Sequence, residues 1–299
     1  MPINGTPGPD TLAGGIGNDE IYGFGGNDYL SGGDGSDTIN GGEGDDYLDG
    51  GLSNDTLIGG EGNDSLVDNY GVNVFDGGDG DDTISANNGA AGQWVSAGAG
   101  NDWVYSNRDN LTALLGDGDD HVLIAGGTGV ILSGEAGSDI YQIYPSSSVA
   151  ITDFAVGQGG DVIDISYILQ YVSGYNGPNP FATGHLRLLQ SGADTLVQVD
   201  GNGAGGGASF TTFVTLTGIT AANITAFNLG GYNPDGSPGA GEVINGTPVS
   251  DALVGTIGAD EIYGLDGSDY IIGGDGSDII DGGEGVIRTI SDLTAHFSE

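Results

Sequence analysis

The chain has 299 residues, with 63 Gly and no Cys, and its 43 acidic side chains stand against 3 basic ones, Arg108, Arg187 and Arg288, for a formal net charge of −40. That balance excludes the basic patches that nucleic acid or an anionic membrane surface requires, and with no Lys and no Cys there is no amine or thiol nucleophile. No apolar run approaches the roughly 18 residues needed to span a bilayer, and the opening residues carry neither the basic nor the apolar segment of a signal peptide.

From Gly5 to about Ser85 the chain repeats one nine-residue block. Gly14-Gly15-Ile16-Gly17-Asn18-Asp19-Glu20-Ile21-Tyr22 is followed by Gly23-Phe24-Gly25-Gly26-Asn27-Asp28-Tyr29-Leu30-Ser31, and then by blocks centred on Asp37 and Asp46. The pattern is G-G-x-G-x-D-x-U-x, with U a large apolar residue. Asp recurs in strict register at Asp10, Asp19, Asp28, Asp37, Asp46, Asp55, Asp64 and Asp82. A disordered acidic chain carries its charge without such order. Acids held at fixed offsets from Gly and from an apolar residue suggest a lattice for cations. Glycines let the backbone turn tightly through positive φ. The turn aims carbonyl oxygens inward beside the Asp carboxylate, a set of hard oxygen donors that suits calcium. The closing x-U-x is a short strand with U inward.

This block resembles the calcium-binding nonapeptide of RTX (repeats-in-toxin) proteins. The resemblance implies an all-β fold, a parallel β-roll with two blocks per coil, and calcium ions between the turns of adjacent coils. Asp residues 18 apart then share a column. One column holds Asp10, Asp28, Asp46, Asp64 and Asp82; the other holds Asp19, Asp37 and Asp55, and then Asn73 where Asp is expected. A weak or missing ion is expected at Asn73. The apolar column is Leu12, Ile21, Leu30, Ile39, Leu48, Leu57, Leu66, Phe75 and Ile84. So thin a core cannot offset the ordering cost of so many glycines, so metal binding is expected to act as folding energy.

The first roll is assigned to residues 1–145. Its register breaks by two residues within 86–96, resumes around Asp102, and returns around Asp120 and Asp139, with one column largely stripped of acids after Asp64. There strands are expected to stack without metal. Residues 146–232 carry longer alternating runs, such as Ile151-Thr152-Asp153-Phe154 and Asp194-Thr195-Leu196-Val197. They resemble the segment after the roll in serralysin-type, type I-secreted proteins, and they read as a central antiparallel β capping unit with a short helix near Tyr167–Tyr171. A Gly/Pro linker spans 233–245, and a short second roll at 246–285 repeats the opening of the chain, with Asp251, Asp260, Asp269 and Asp278. The tail, 286–299, lacks the repeat.

His121, His185 and His296 share no local motif, and H-E-x-x-H is absent, so the zinc protease of the serralysins is not implied. Paired carboxylates abound, but as calcium ligands they need no catalytic role. His121 reads as a surface residue, and outward Tyr22, Tyr29, Tyr47, Trp103, Tyr105, Tyr263 and Tyr270 read as cross-strand stacks or as a contact surface for sugar or another copy. The expectation is a non-enzymatic, secreted calcium-binding structural protein of a Gram-negative cell surface or its surroundings. It self-assembles head to tail into a filament, layer or matrix, with a homo-oligomer or polymer as the natural state and carbohydrate or a cell-surface component as a further partner. No nucleic acid and no membrane insertion are expected. The alternatives are a non-catalytic module of a secreted adhesin or enzyme, or an enzyme with an unrecognised site.

Overall fold

Each block forms one strand and one turn, and strands alternate between two parallel sheets. In the computed structural model, Ile3–Asn4, Glu20–Gly25, Thr38–Glu43, Thr56–Glu61, Val74–Asp79, Trp94–Ala99, Thr112–Asp117, Val130–Ala136 and Val149–Ile151 pair in that order in one sheet. Thr11–Ile16, Tyr29–Asp34, Tyr47–Leu52, Ser65–Asp68, Thr83–Ala86, Trp103–Ser106 and His121–Ile124 pair in the other. The structure describes residues 2–87, 89–172, 175, 179–202, 207, 209–237, 239, 241–274, 276–284, 288–291 and 296–297. Two units are distinguished: residues 1–137 with 146–153, and residues 138–145 with 154–299.

The first unit is the roll. Its register stacks Ile21, Ile39, Leu57, Phe75, Val95, Ala113, Leu132 and Ile151 on one sheet. On the other it stacks Leu30, Leu48, Leu66, Ile84, Val104 and Val122. Every one of these is fully buried at 0% exposure, so each sheet turns one single-file stripe inward, and Leu111, Leu115, Ile124 and Val130 thicken the interior in the later coils. The two-residue break within 86–96 is absorbed in a turn, since Phe75 still pairs with Val95 and Ile84 with Val104.

The fourth block position shows why glycine is needed. Gly44 has φ 117°, and a Cβ on it would lie 2.8 Å from the backbone of Gly26 in the coil before. Its amide donates to the Glu61 carbonyl at 2.6 Å, which ties one turn to the next.

Parallel pairing runs past residue 145, because Val149–Ile151 pairs with Val130–Ala136. His121 differs from its surface reading. It is 5% exposed, directly opposite Trp103 on the neighbouring strand, with ring centroids 3.7 Å apart. The indole covers it because the insertion leaves these two positions in register.

In the second unit, Ile140–Ile143 pairs in parallel with Val162–Ile163. The helix Ile165–Leu169 follows, N-capped by Asp164, whose carboxylate accepts from the Tyr167 amide at 3.1 Å. Leu186–Ser191, Asp194–Val199 and Thr211–Leu216 pair antiparallel in that order; most of the Gly-rich 201–207 stretch lies outside the described residues. The short roll stacks Val243–Asn245, Glu261–Tyr263, Ile279–Asp281 and His296–Phe297 in one sheet, and Ala252–Val254, Tyr270–Gly274 and Arg288–Ser291 in the other. The backbone of the tail thus continues the stack at 288–291 and 296–297, while the rest of the tail lies outside the described residues. Ile140, Val162, Phe227, Val254 and Ile272 form a common core within this unit. The stretch 233–245 is also tied down, with the Asn179 side chain donating to the Asn233 and Ser237 carbonyls.

Candidate metal centre

The position-six residues form two columns, held by one repeated hydrogen bond. The amide of each Asp donates to Oδ1 of its counterpart one coil on. In one column this runs Asp10 to Asp28 (2.7 Å), Asp28 to Asp46 (2.7 Å), Asp46 to Asp64 (2.8 Å), Asp64 to Asp82 (2.7 Å), Asp82 to Asp102 (2.8 Å) and Asp102 to Asp120 (2.7 Å). In the other it runs Asp19 to Asp37 (2.8 Å), Asp37 to Asp55 (2.7 Å) and Asp55 to Asn73 Oδ1 (2.9 Å). The second unit repeats the bond from Asp139 to Asp161, Asp251 to Asp269 and Asp260 to Asp278.

The second carboxylate oxygen separates two kinds of site. Oδ2 of Asp28, Asp37, Asp46, Asp55, Asp64, Asp82, Asp102 and Asp269 is buried and has no hydrogen-bonding partner. Oδ2 of Asp28, Asp37, Asp46, Asp64, Asp82 and Asp269 faces the position-one glycine of its own block, beside a backbone carbonyl of the next coil. A Cβ on Gly41 would overlap Asp46 Oδ2 and lie 2.7 Å from the Gly59 carbonyl oxygen. Glycine leaves that cradle open. A buried, unpartnered carboxylate oxygen is costly. A hard cation answers that cost, since calcium accepts carboxylate and carbonyl oxygens together. Among the described residues no three His, Cys, Asp or Glu side chains converge, so backbone carbonyls must supply the rest of any coordination shell. The residues present therefore fit calcium better than a metal that prefers nitrogen or sulfur.

Asp10, Asp251 and Asp260 differ. Their Oδ2 atoms accept from the amides of the position-two residues Thr6, Thr247 (2.6 Å) and Thr256 (2.7 Å), and from the hydroxyls of the same Thr side chains. These carboxylates are satisfied without an ion. Asp19 is half-buried, and Asp120, Asp139 and Asp278 are buried in the same stacks.

Burial, more than neighbouring charge, raises the acids of the interior coils. Desolvation pushes Asp46 up to about 6 and Asp64, Asp82 and Asp102 up to about 7, against the partial relief of the amide bonds they accept. Asp37, Asp55 and Asp269 shift in the same direction for the same reason.

Sequence reasoning missed three features. At block position five, the amides of Asp45, Asn63, Asp81, Asn101 and Asp119 donate to Oδ1 of Asn27, Asp45, Asn63, Asp81 and Asn101. This ladder runs opposite in sense to the one at position six, and the alternation of Asn and Asp was a readable signal. Asp161 was overlooked because it follows the block pattern's end; its Oδ2 accepts from the Ala155 amide at 2.7 Å, which makes it a loop brace. Asp68, buried beside Asp55, stands where the block has Gly.

Residues 4–39, 31–66, 67–90, 94–110 and 254–286 match the family description of the RTX calcium-binding nonapeptide repeat (4 copies). The repeats of this chain are RTX calcium-binding repeats, folded as a parallel β-roll. No curated protein sequence matches the chain. Among solved structures it is similar to the extracellular lipase LipA from Serratia marcescens, with 20% identity over 77% of this chain and 40% of that one and a TM-score of 0.23. It is also similar to the AlgE6R3 subunit from the Azotobacter vinelandii mannuronan C5-epimerase, with 21% identity over 75% of this chain and 82% of that one and a TM-score of 0.19. The chain thus spans 40% of the lipase's length. No helix among the described residues is long and apolar enough to cross a membrane.

Proposed function

We propose that this chain is a secreted, calcium-dependent structural protein that joins copies head to tail through its rolls. The supporting observation for calcium-dependent folding is the set of buried, unpartnered Oδ2 atoms, which an ion would satisfy in coil after coil. The supporting observation for assembly is the exposed apolar side chain on the first described coil. Among the described residues Ile3–Asn4 and Thr11–Ile16 are the terminal strands of their sheets, and Ile16 is 92% exposed there. An uncapped repeat end is a template for another copy, and a contact between unlike ends propagates into a filament unless it closes into a ring. Export by a type I route accords with the calcium-poor interior of a cell, where such a chain stays unfolded until it meets calcium outside.

Calcium titration followed by circular dichroism and light scattering tests both parts. The reading expects β structure and particle size to rise together; a chain that folds with calcium yet stays monomeric at high concentration sinks assembly. A second reading, a module that holds carbohydrate, draws on Tyr29 and Tyr47. Their rings stack with centroids 4.9 Å apart and planes 8° from parallel, and Tyr29 is 48% exposed. A glycan-binding screen of wild type against Tyr29→Ala separates that reading from assembly.

A further inference from the structure

One coil of the roll departs from the repeat at two positions at once. Asp68 stands at block position one, where Gly14, Gly32 and Gly50 stand in the same column, and Asn73 stands at position six, below Asp19, Asp37 and Asp55. By sequence the second change removes a carboxylate and weakens the site. By structure the carboxylate has moved.

Asn73 keeps the scaffolding half of the Asp it replaces. Its Oδ1 accepts from the Asp55 amide at 2.9 Å, in the same geometry as the Asp residues above it. Its Nδ2 donates to the Tyr70 carbonyl at 2.7 Å, so the atom that would be the second oxygen is a donor and already engaged. Asp68 is 0% exposed. Its Oδ1 accepts from the Tyr70 amide at 2.9 Å, which fixes the side chain, and its Oδ2 meets no N–H donor and faces the Asp55 carboxyl. That Oδ2 points into the cradle over Gly50. A Cβ placed on Gly50 would overlap Asp68 Oδ2 and lie 2.9 Å from Asp55 Oδ2, itself buried and unpartnered. In the regular coils the same cradle holds one Asp Oδ2 and one glycine carbonyl oxygen, as Gly41 shows with Asp46 and Gly59. At Gly50 the carboxylate oxygen of Asp68 takes the carbonyl's place.

We propose that Asp55 and Asp68 form a calcium site of altered ligand set, in which Asp68 supplies from position one the carboxylate that Asn73 lacks at position six. Two buried carboxylates aimed at one point repel unless a cation or a shared proton lies between them. The hard, all-oxygen donor pair suits the cation. The site marks the point where this column changes from acids to uncharged residues, so it is the last ion of its file.

The proposal rests on the calcium-binding reading above, and its test keeps the two apart. Bound calcium is counted per chain on the full-length protein, by native mass spectrometry or by elemental analysis after gel filtration in calcium. Asp68→Asn should hold at least one ion fewer than wild type. The double variant D68G/N73D, which restores the repeat at both positions, should return the wild-type count. An unchanged count in D68N overturns the proposal and leaves a shared proton as the link between the two carboxylates; a D68G/N73D chain that folds but stays short of the wild-type count overturns it as well. A wild-type chain that holds no calcium at all refutes the calcium-binding reading itself.

Discussion

The two columns of position-six residues begin alike and diverge. One stays acidic from Asp10 through Asp28, Asp46, Asp64, Asp82 and Asp102 to Asp120. The other runs Asp19, Asp37, Asp55, then Asn73, Gln93, Leu111, Val130 and Val149, with the last five all buried. Acid gives way to amide and amide to aliphatic while the strand register is kept. The same turn can therefore be closed by an ion between carboxylates or by apolar contact, and the backbone ladder is indifferent to which. What differs is the dependence on conditions, because only the first solution answers to metal and pH.

Chelation should separate the two solutions most sharply. Removing divalent ions should abolish most of the β signal, and hydrogen exchange should show the deepest loss in residues 10–66, where both columns are acidic, with the greatest residual protection in 94–136. A melting curve unchanged by chelator breaks the comparison outright.

Acid should partly replace the metal. Asp46 at about 6, and Asp64, Asp82 and Asp102 at about 7, lie above the ordinary 3.8 they regain on unfolding. The folded metal-free chain therefore binds more protons than the unfolded one, and its stability falls as pH rises. That contribution is fully present below about 4 and is lost as pH climbs through 6 to 7. Circular dichroism in chelator should show β content rising on acidification across this window, and apparent calcium affinity should fall there, since protons and ions compete for the same oxygens. Metal-free folding that improves toward neutral pH contradicts it.

Gly44→Ala tests the turn shared by all acidic coils. With φ at 117° and the Gly26 backbone 2.8 Å from the added Cβ, it should cost about 1–3 kcal/mol, read as a lower melting temperature in saturating calcium. Gln93→Met probes the changeover in the second column. Gln93 is 1% exposed and neither side-chain polar atom has a hydrogen-bonding partner, so an apolar residue of similar size should stabilise the roll by about 1 kcal/mol with the calcium count unchanged. A destabilised Gln93→Met chain would mean that this amide has a role in the column. Smallest of all, Tyr29→Ala removes one cross-strand ring stack at the surface and should cost about 0.5 kcal/mol in thermal unfolding.

The parallel roll was legible because its grammar is local. Ile21, Ile39 and Leu57 mark an inward stripe at a constant offset, and an insertion within 86–96 only lengthens a turn. Individual sites were less legible. Asp10 and Asp251 carry the same motif as Asp28, yet a Thr two residues into their blocks satisfies them. His121 has the pattern of an outward residue, but Trp103, eighteen residues earlier and directly opposite on the neighbouring strand, buries it.

By itself the amino-acid order determined the period, the turns, the inward stripe and the hard-oxygen chemistry, because each follows from one residue's backbone freedom or from neighbours within a block. Only the stacking of coils decided what each unsatisfied carboxylate oxygen faces, since the Thr amides that satisfy Asp10, Asp251 and Asp260 lie within their own blocks. The oxygen set beside it comes from a block one full coil away, and a change there, such as Asp68 over Gly50, rewrites a site whose own letters have not changed.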